Sequence, residues 1–119
     1  MDRPGNFTMQ MWQGATWNYD LTWTTGDPAT PVNLTGYSAR MQVRTEVDAT
    51  DTILDLTSLV GGAITLGGAA GTIGLDLSAT STADVTPGTH VYDLELVSGA
   101  GVVTRLLQGS FVVSAEVTR

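Results

Sequence analysis

Alternation of apolar and polar residues with a period of two is the feature that most constrains the fold of this chain. It is clearest over residues 16–24, where Trp17, Tyr19, Leu21 and Trp23 alternate with Thr, Asn and Asp residues. Successive side chains of a strand point to opposite faces of a sheet, so the segment predicts a strand with one apolar face. We expect its three aromatic rings to anchor a hydrophobic core.

The same alternation predicts further short strands, separated by turns rich in Gly at intervals of about ten residues. They cover residues 7–12, 37–45, 52–56, 63–66, 72–77, 90–97, 102–108 and 110–117. Residues 78–84 are the only place for a helical turn, with Ser78 as its cap. No segment predicts a helix long enough for a parallel crossover. Eight or nine strands of this kind predict an all-β, antiparallel, immunoglobulin-like β-sandwich.

Two of the predicted strands have clearly distinct faces. In residues 37–45 the odd-numbered side chains from Tyr37 to Val43 face one way, and the even-numbered ones from Ser38 to Arg44 face the other. In residues 90–97, Tyr92, Leu94 and Leu96 share one side.

The length of 119 residues fits one domain. We expect residues 13–119 to form a single β-sandwich domain and residues 1–12 to form an N-terminal arm or an edge strand. An exposed arm can add a strand to the sheet of a neighbouring chain. Its candidate partner contacts are Phe7, Met9, Met11 and Trp12. The first residues have no apolar stretch typical of a signal peptide, so we expect a complete chain without a cleaved export signal.

Composition excludes several functions. The chain has no Cys, which excludes disulfides, thiolate metal sites and thiol nucleophiles. Its net charge of −7, with five Arg and no Lys, opposes direct binding to a nucleic-acid backbone. No apolar run approaches the length of a membrane span, so we expect no membrane insertion.

No catalytic or metal-binding constellation is recognisable in the sequence. His90 is the single histidine and belongs to no nucleophile motif, so we expect a structural or surface role for it. Asp93 and Glu95 share a strand face, as solvent-facing acids commonly do. Asp48 and Asp51 are too few for a calcium loop. We therefore predict a non-enzymatic chain without a cofactor or metal.

The aromatic residues allow one further function. Trp12, Trp17, Tyr19 and Trp23 carry faces on which sugar rings can stack. The alternation assigns Trp17 and Trp23 to the core, which leaves Trp12 as the better contact residue. A carbohydrate-binding surface would combine Trp12 with the loops at residues 26–31 and 46–51.

Several segments together resemble one family. They are PVNLTGY (31–37), ARMQVR (39–44), GTI (71–73), GTHVYDLEL (88–96), GSFVV (109–113) and EVT (116–118). These segments resemble patterns in small β-sandwich modules of tailed-bacteriophage virion proteins, and the resemblance spans about residues 10–119.

The resemblance implies a location and a kind of partner. Such modules are non-enzymatic structural components of tails, baseplates and head-decoration layers, and they bind other virion proteins. We therefore expect a virion protein, assembled in the host cytoplasm, that acts as a homo-oligomer or in a symmetric multi-copy assembly. The alternative is a carbohydrate- or receptor-binding module on the virion surface. The family implies no catalytic residue.

Overall fold

The computed structural model describes residues 5–26, 28–59 and 62–118. Its helical parts are a 3-10 turn (Gly68–Ala70) and the five-residue helix α1 (Ala79–Ala83). Its strands are β1 (Gly5–Asn6), β2 (Met9–Trp12), β3 (Trp17–Thr22), β4 (Thr24–Thr25), β5 (Thr30–Pro31), β6 (Ser38–Arg44), β7 (Leu54–Thr57), β8 (Ile64–Leu66), β9 (Thr72–Leu77), β10 (Gly88–Val97) and β11 (Val103–Ser114). None of the helices in these ranges is long and apolar enough to cross a membrane.

The strands form two main sheets. In the large sheet, β11, β10, β6 and β7 are antiparallel neighbours in that order, and β1 and β2 pair in parallel with β11 at the edge. The small sheet has the order β3-β9-β8, and β4 pairs with β5 in a short separate ribbon. This order matches the G-F-C-C′ and B-E-D sheets of immunoglobulin-like domains. The predicted all-β sandwich is confirmed, with the parallel edge as its departure from a purely antiparallel fold.

The core lies between the two sheets because each long strand buries alternate side chains. Along β10 the buried residues include Tyr92, Leu94 and Leu96, and along β6 they are Ala39, Met41 and Val43. Both sets are the faces that the alternation predicted. The small sheet contributes Trp17, Ile64, Ile73 and Leu75.

Trp17 anchors this core, as the sequence predicted. Its ring meets Phe111 edge-on at 5.5 Å between centroids, and Phe111 meets Tyr92 edge-on at 6.1 Å. Tyr19 and Trp23 are only half-buried and pack against the margin of the core. Trp23 lies beyond the end of β3 and contacts Tyr37, so the alternation of residues 16–24 predicts the correct face but overstates the depth of two rings.

One strand boundary in the sequence prediction is wrong. Residues 102–108 and 110–117 were expected as two strands, but β11 is continuous from Val103 to Ser114. Gly109 lies within it at φ +153°, and a Cβ there would clash with the carbonyl of Phe7. This glycine allows a close approach of the N-terminal segment and does not end a strand.

Helix α1 forms where the sequence predicted it. The Ser78 hydroxyl caps it by accepting a hydrogen bond of 3.2 Å from the Ser81 amide. Its one buried residue is Thr82. The Thr82 hydroxyl accepts a hydrogen bond of 3.1 Å from the Gly14 amide and donates one of 2.8 Å to the Ala15 carbonyl. The helix is therefore attached to the turn between β2 and β3.

The N-terminal segment is part of the sandwich in the described chain. Phe111 to Ser114 of β11 pair in register with Met9 to Trp12 of β2. Of the two predicted forms, arm or edge strand, residues 9–12 adopt the edge strand, because the side chains of Met9 and Met11 enter the core. Residues 1–4 of the expected arm lie outside the described residues.

Candidate interaction surfaces

The four predicted contact residues divide into two buried and two exposed side chains. Met9 is 2% exposed and Met11 is fully buried, whereas Phe7 is 41% and Trp12 is 57% exposed. The prediction of partner contacts is therefore corrected for Met9 and Met11, which fill the core of their own chain. The error has a simple cause: the period-two pattern of residues 9–12 defines two faces, and the sequence does not say that a neighbouring strand covers one of them.

Strand β2 presents an open edge to solvent. The amides of Phe7 and Gln13 donate to carbonyls of Gln108 and Ser114, at 3.0 and 2.9 Å. In a parallel ladder the intervening N–H groups, those of Gln10 and Trp12, point away from β11. No strand of the described chain pairs with this side of β2.

The carbonyl groups along the same edge have partners. The Trp17 indole N–H donates to the Gln10 carbonyl at 2.9 Å, and the Ala15 amide donates to the Trp12 carbonyl at 3.1 Å. The edge is therefore a row of amide donors beside the exposed Trp12 indole. We call this surface the β2 edge and define it by Gln10 and Trp12.

Phe7 lies just before β2 in the chain. Its ring tilts against Tyr19 with 5.3 Å between centroids, and its carbonyl accepts a 2.7 Å hydrogen bond from the Tyr92 hydroxyl. Burial, with a smaller contribution from Tyr19, raises the pKa of Tyr92 to about 12. Tyr92 therefore holds the N-terminal segment in place as a neutral hydrogen-bond donor.

A second surface covers the outer face of the large sheet. Arg40 and Arg44 of β6 and Arg105 of β11 point outward on either side of β10. Arg40 pairs with Glu95 at 2.8 Å, and Arg105 lies 3.5 Å from Asp93. We call this surface the arginine face and define it by the three arginines.

The arginine face contains a cavity of about 370 Å³. Arg44, Arg105 and Asp93 are its charged lining residues, and Gln42, Gln108 and Asn6 add amide groups. Sequence alternation predicted that Arg40 and Arg44 share a face. The alternation did not predict that Arg105 lies on the same face. That position depends on the register of β10 with β11 and β6, which the pattern of a single strand does not contain.

Arg44 also fixes the loop at residues 46–51. Its guanidinium donates to the carbonyls of Ala49 and Thr50 at 2.9 and 3.1 Å, and to the Gln42 side chain at 2.8 Å. Asp48 and Asp51 are exposed in this loop. Within the described ranges, no three His, Asp or Glu residues are grouped as a metal site would require.

The other loop proposed for ligand contact contains regular structure. Thr24 and Thr25 pair with Pro31 and Thr30 in the ribbon of β4 and β5, so residues 30–31 are strand where the sequence predicted loop. Asp27 lies outside the described residues. The ribbon and Trp12 are on separate elements, and no cavity described here joins them.

His90 is a buried residue at the start of β10. It is 4% exposed, and its Nε2 lies 2.8 Å from the carbonyl oxygen of Thr86. Its Nδ1 is buried and has no hydrogen-bond partner in the described chain. Of the two predicted roles, structural or surface, the position of His90 is that of a structural residue that closes the turn before β10.

Comparisons with known proteins find similarity among solved structures. No protein-family model matches the chain, and no curated protein matches it. Among solved structures, the chain is similar to CopC from Methylosinus trichosporium OB3b, with a TM-score of 0.47 and 13% sequence identity. The similarity covers 93% of this chain and 89% of that one.

Proposed function

We propose that this chain is a non-enzymatic structural protein of a phage particle, in the tail, the baseplate or the head-decoration layer. It binds other virion proteins through its sheet edge and surfaces. The proposal starts from the resemblance of residues 31–44, 71–73, 88–96 and 109–118 to small virion modules. Many of these residues, such as Met41, Leu94 and Phe111, are core residues, so the resemblance concerns the fold and leaves the surface to determine the partner.

The open β2 edge carries the proposal. The amides of Gln10 and Trp12 are donors that acceptor groups of a partner can bond, whereas the carbonyls of the same two residues are already bonded within the chain. Trp12 adds an exposed indole of the kind that concentrates binding energy in protein interfaces.

The titratable residues singled out in the sequence support a non-enzymatic function. Asp93 and Glu95, the paired acids, are each next to an arginine. His90 is buried and bonded to a backbone carbonyl, so it is not available to a substrate. Each of these groups is thus engaged by a neighbour in its own chain, which is consistent with a module that acts through contact.

The alternative function is binding of a carbohydrate or receptor on the virion surface. Its specific support is the exposed Trp12, whose ring is in no aromatic pair of the described chain. Such a ring is free to stack on a sugar or on an apolar side chain of a partner.

Quantitative mass spectrometry of purified particles tests the first function. Particles are separated on a density gradient from a culture that produces this chain. We expect the chain in the particle fraction, at a copy number that is a multiple of a virion symmetry. Its presence only in the soluble fraction would overturn the proposal. Saturable glycan binding by the purified chain that is lost in Trp12→Ala but kept in Leu59→Ala, an exposed control on another surface, would favour the alternative.

A further inference from the structure

The β2 edge offers hydrogen-bond donors without matching free acceptors. The amides of Gln10 and Trp12 point away from β11 and have no acceptor among the described residues. Their carbonyls each accept a bond already, from the Trp17 indole and from the Ala15 amide. A partner at this edge therefore has to supply acceptors and gains little from supplying donors.

The turn after β2 sets the limit of this donor row. The Gln13 amide donates to the Ser114 carbonyl, and the Gly14 amide donates to the Thr82 hydroxyl at 3.1 Å. The amides of Met9 and Met11 point toward β11 in the ladder. Within residues 9–15, only the two amides of the β2 edge are therefore left for a partner.

The sheet surface beside the two amides carries no charge. Their register partners on β11 are Val112 and Ser114, and Thr89 of β10 lies next to Val112. None of these side chains ionises. The carboxylate of Glu116 occupies the space beside Gly14, in the turn beyond the end of β2. The part of the edge before this turn therefore fits an uncharged segment.

Trp12 adds an apolar ring and a further donor to the edge. Its side chain is 57% exposed, and its ring is in no aromatic pair of the described chain. The indole N–H can donate a hydrogen bond but cannot accept one. Exposed aromatic rings of this kind are the surfaces on which the rings of proline-rich segments pack. The side chain thus has the same preference as the backbone beside it, for an apolar partner that supplies acceptors.

We propose that the β2 edge binds a proline-rich segment of another virion protein in the polyproline II conformation. Proline has a carbonyl and no amide N–H, so such a segment supplies acceptors alone. The polyproline II backbone makes no internal hydrogen bonds, which leaves these carbonyls free. The inference rests on the proposed function and names the kind of segment that the partner contributes.

An added β-strand fits the edge less well than a proline-rich segment. Each residue that a strand turns toward its neighbour brings one donor and one acceptor. At the β2 edge those donors would meet carbonyls that already accept a bond from the Trp17 indole or the Ala15 amide. A proline-rich segment avoids this competition because it has no amide donors.

NMR titration of the isotope-labelled full chain with decaproline tests the inference. We expect saturable shifts of the Gln10 and Trp12 amides and of the Trp12 indole N–H. A peptide of equal length with alternating Ser and Thr has an N–H at every residue and should give no saturable shift. Trp12→Ala should weaken decaproline binding by more than about tenfold. Leu59→Ala, exposed on another surface, should bind like the wild type.

Two substitutions of Gln10 separate its backbone amide from its side chain. Gln10→Pro removes the outward N–H, and proline is tolerated in an edge strand where the N–H faces solvent. Gln10→Ala removes the side chain and keeps the amide. We expect Gln10→Pro to weaken decaproline binding several-fold and Gln10→Ala to bind like the wild type. Circular dichroism confirms that each variant is folded, and the Gln10 amide shift of the wild-type chain reports the same bond without a substitution.

Three outcomes overturn the inference: no saturable shift with decaproline, equal binding of the Ser-Thr peptide, or full binding by folded Gln10→Pro. Saturable glycan binding through Trp12 without decaproline binding also overturns it and favours the alternative function. If the chain is in particles but does not bind decaproline, only this inference fails. If it binds decaproline but is absent from particles, the proposed function fails instead.

Discussion

Tyr92 connects three parts of the chain at the scale of single residues. Its ring packs in the core against Phe111, and its hydroxyl donates to the carbonyl of Phe7. Gly109, its register partner on β11, leaves the space for the Phe7 backbone, which runs alongside β11 at the edge of the sheet. The close contact between the N-terminal segment and the sheet therefore depends on one ring, one hydroxyl and one missing side chain.

The raised pKa of Tyr92 predicts a loss of stability in alkali. The ordinary pKa of tyrosine is about 10, and in the folded chain burial raises the pKa of Tyr92 to about 12. The unfolded chain therefore releases this proton first. The contribution of Tyr92 to the free energy of unfolding is complete below pH 10 and declines as the pH rises from 10 to 12.

Urea unfolding at pH 9 and pH 11 measures this effect. We expect the wild-type chain to lose stability between the two values and Tyr92→Phe to lose less, since it has no phenol to ionise at that site. Tyr37→Phe, at the margin of the core, is the control. Equal losses in the wild type and Tyr92→Phe would contradict the assignment.

At the scale of elements, helix α1 links segments that are distant in the sequence. Thr82 bonds to the backbone of Gly14 and Ala15. Gln13 donates to the Val85 carbonyl at 3.0 Å and accepts from the Glu116 amide at 3.0 Å. Side-chain hydrogen bonds thus join helix α1 to the turn after β2, and join that turn to the segment after β11 beyond the last pair of their ladder.

Thr82→Val tests this link because it keeps the shape of the side chain and removes the hydroxyl. It leaves the Gly14 amide and the Ala15 carbonyl without their partner, and such a loss in a buried site costs about 1–3 kcal/mol. Thr80→Val, on the exposed side of the same helix, should change the free energy of unfolding by less than about 0.5 kcal/mol. Urea unfolding of both variants checks this, and equal values would show that the hydroxyl is not a structural link.

Elements differ in how far the sequence predicts them. The hairpin of β8 and β9, the cap at Ser78 and the inner face of β6 follow from local patterns, and the structure agrees with them. The two-strand reading of β11 was wrong because Gly109 is a turn signal locally and a close-approach residue in the fold. The sequence did not predict that Arg105 lies on the arginine face, and it wrongly predicted Met9 and Met11 as contact residues. Both errors have one cause: the register of two strands, and which strand face is covered by a neighbour, are long-range properties.

At the scale of the whole molecule, strand β2 near the start of the chain pairs with strand β11 near its end. Met9 of β2 lies opposite Phe111 of β11, so the edge of the large sheet forms from segments about a hundred residues apart. Strand β2 serves the fold through its inward side chains and, in our proposal, the partner through its edge and outward ones. Deleting residues 1–12 would remove both functions together and therefore could not separate them.

Adjacent substitutions in β2 separate the two functions. Met11→Ala removes a fully buried side chain and should lower the free energy of unfolding by about 2–5 kcal/mol. Trp12→Ala removes an exposed ring and should change it by less than about 1 kcal/mol. In particles, the first variant should still be incorporated at temperatures where it is folded, whereas the second should be depleted several-fold relative to the wild type. Normal incorporation of Trp12→Ala would show that the β2 edge is not the contact surface, because this change leaves the sandwich that presents the edge intact.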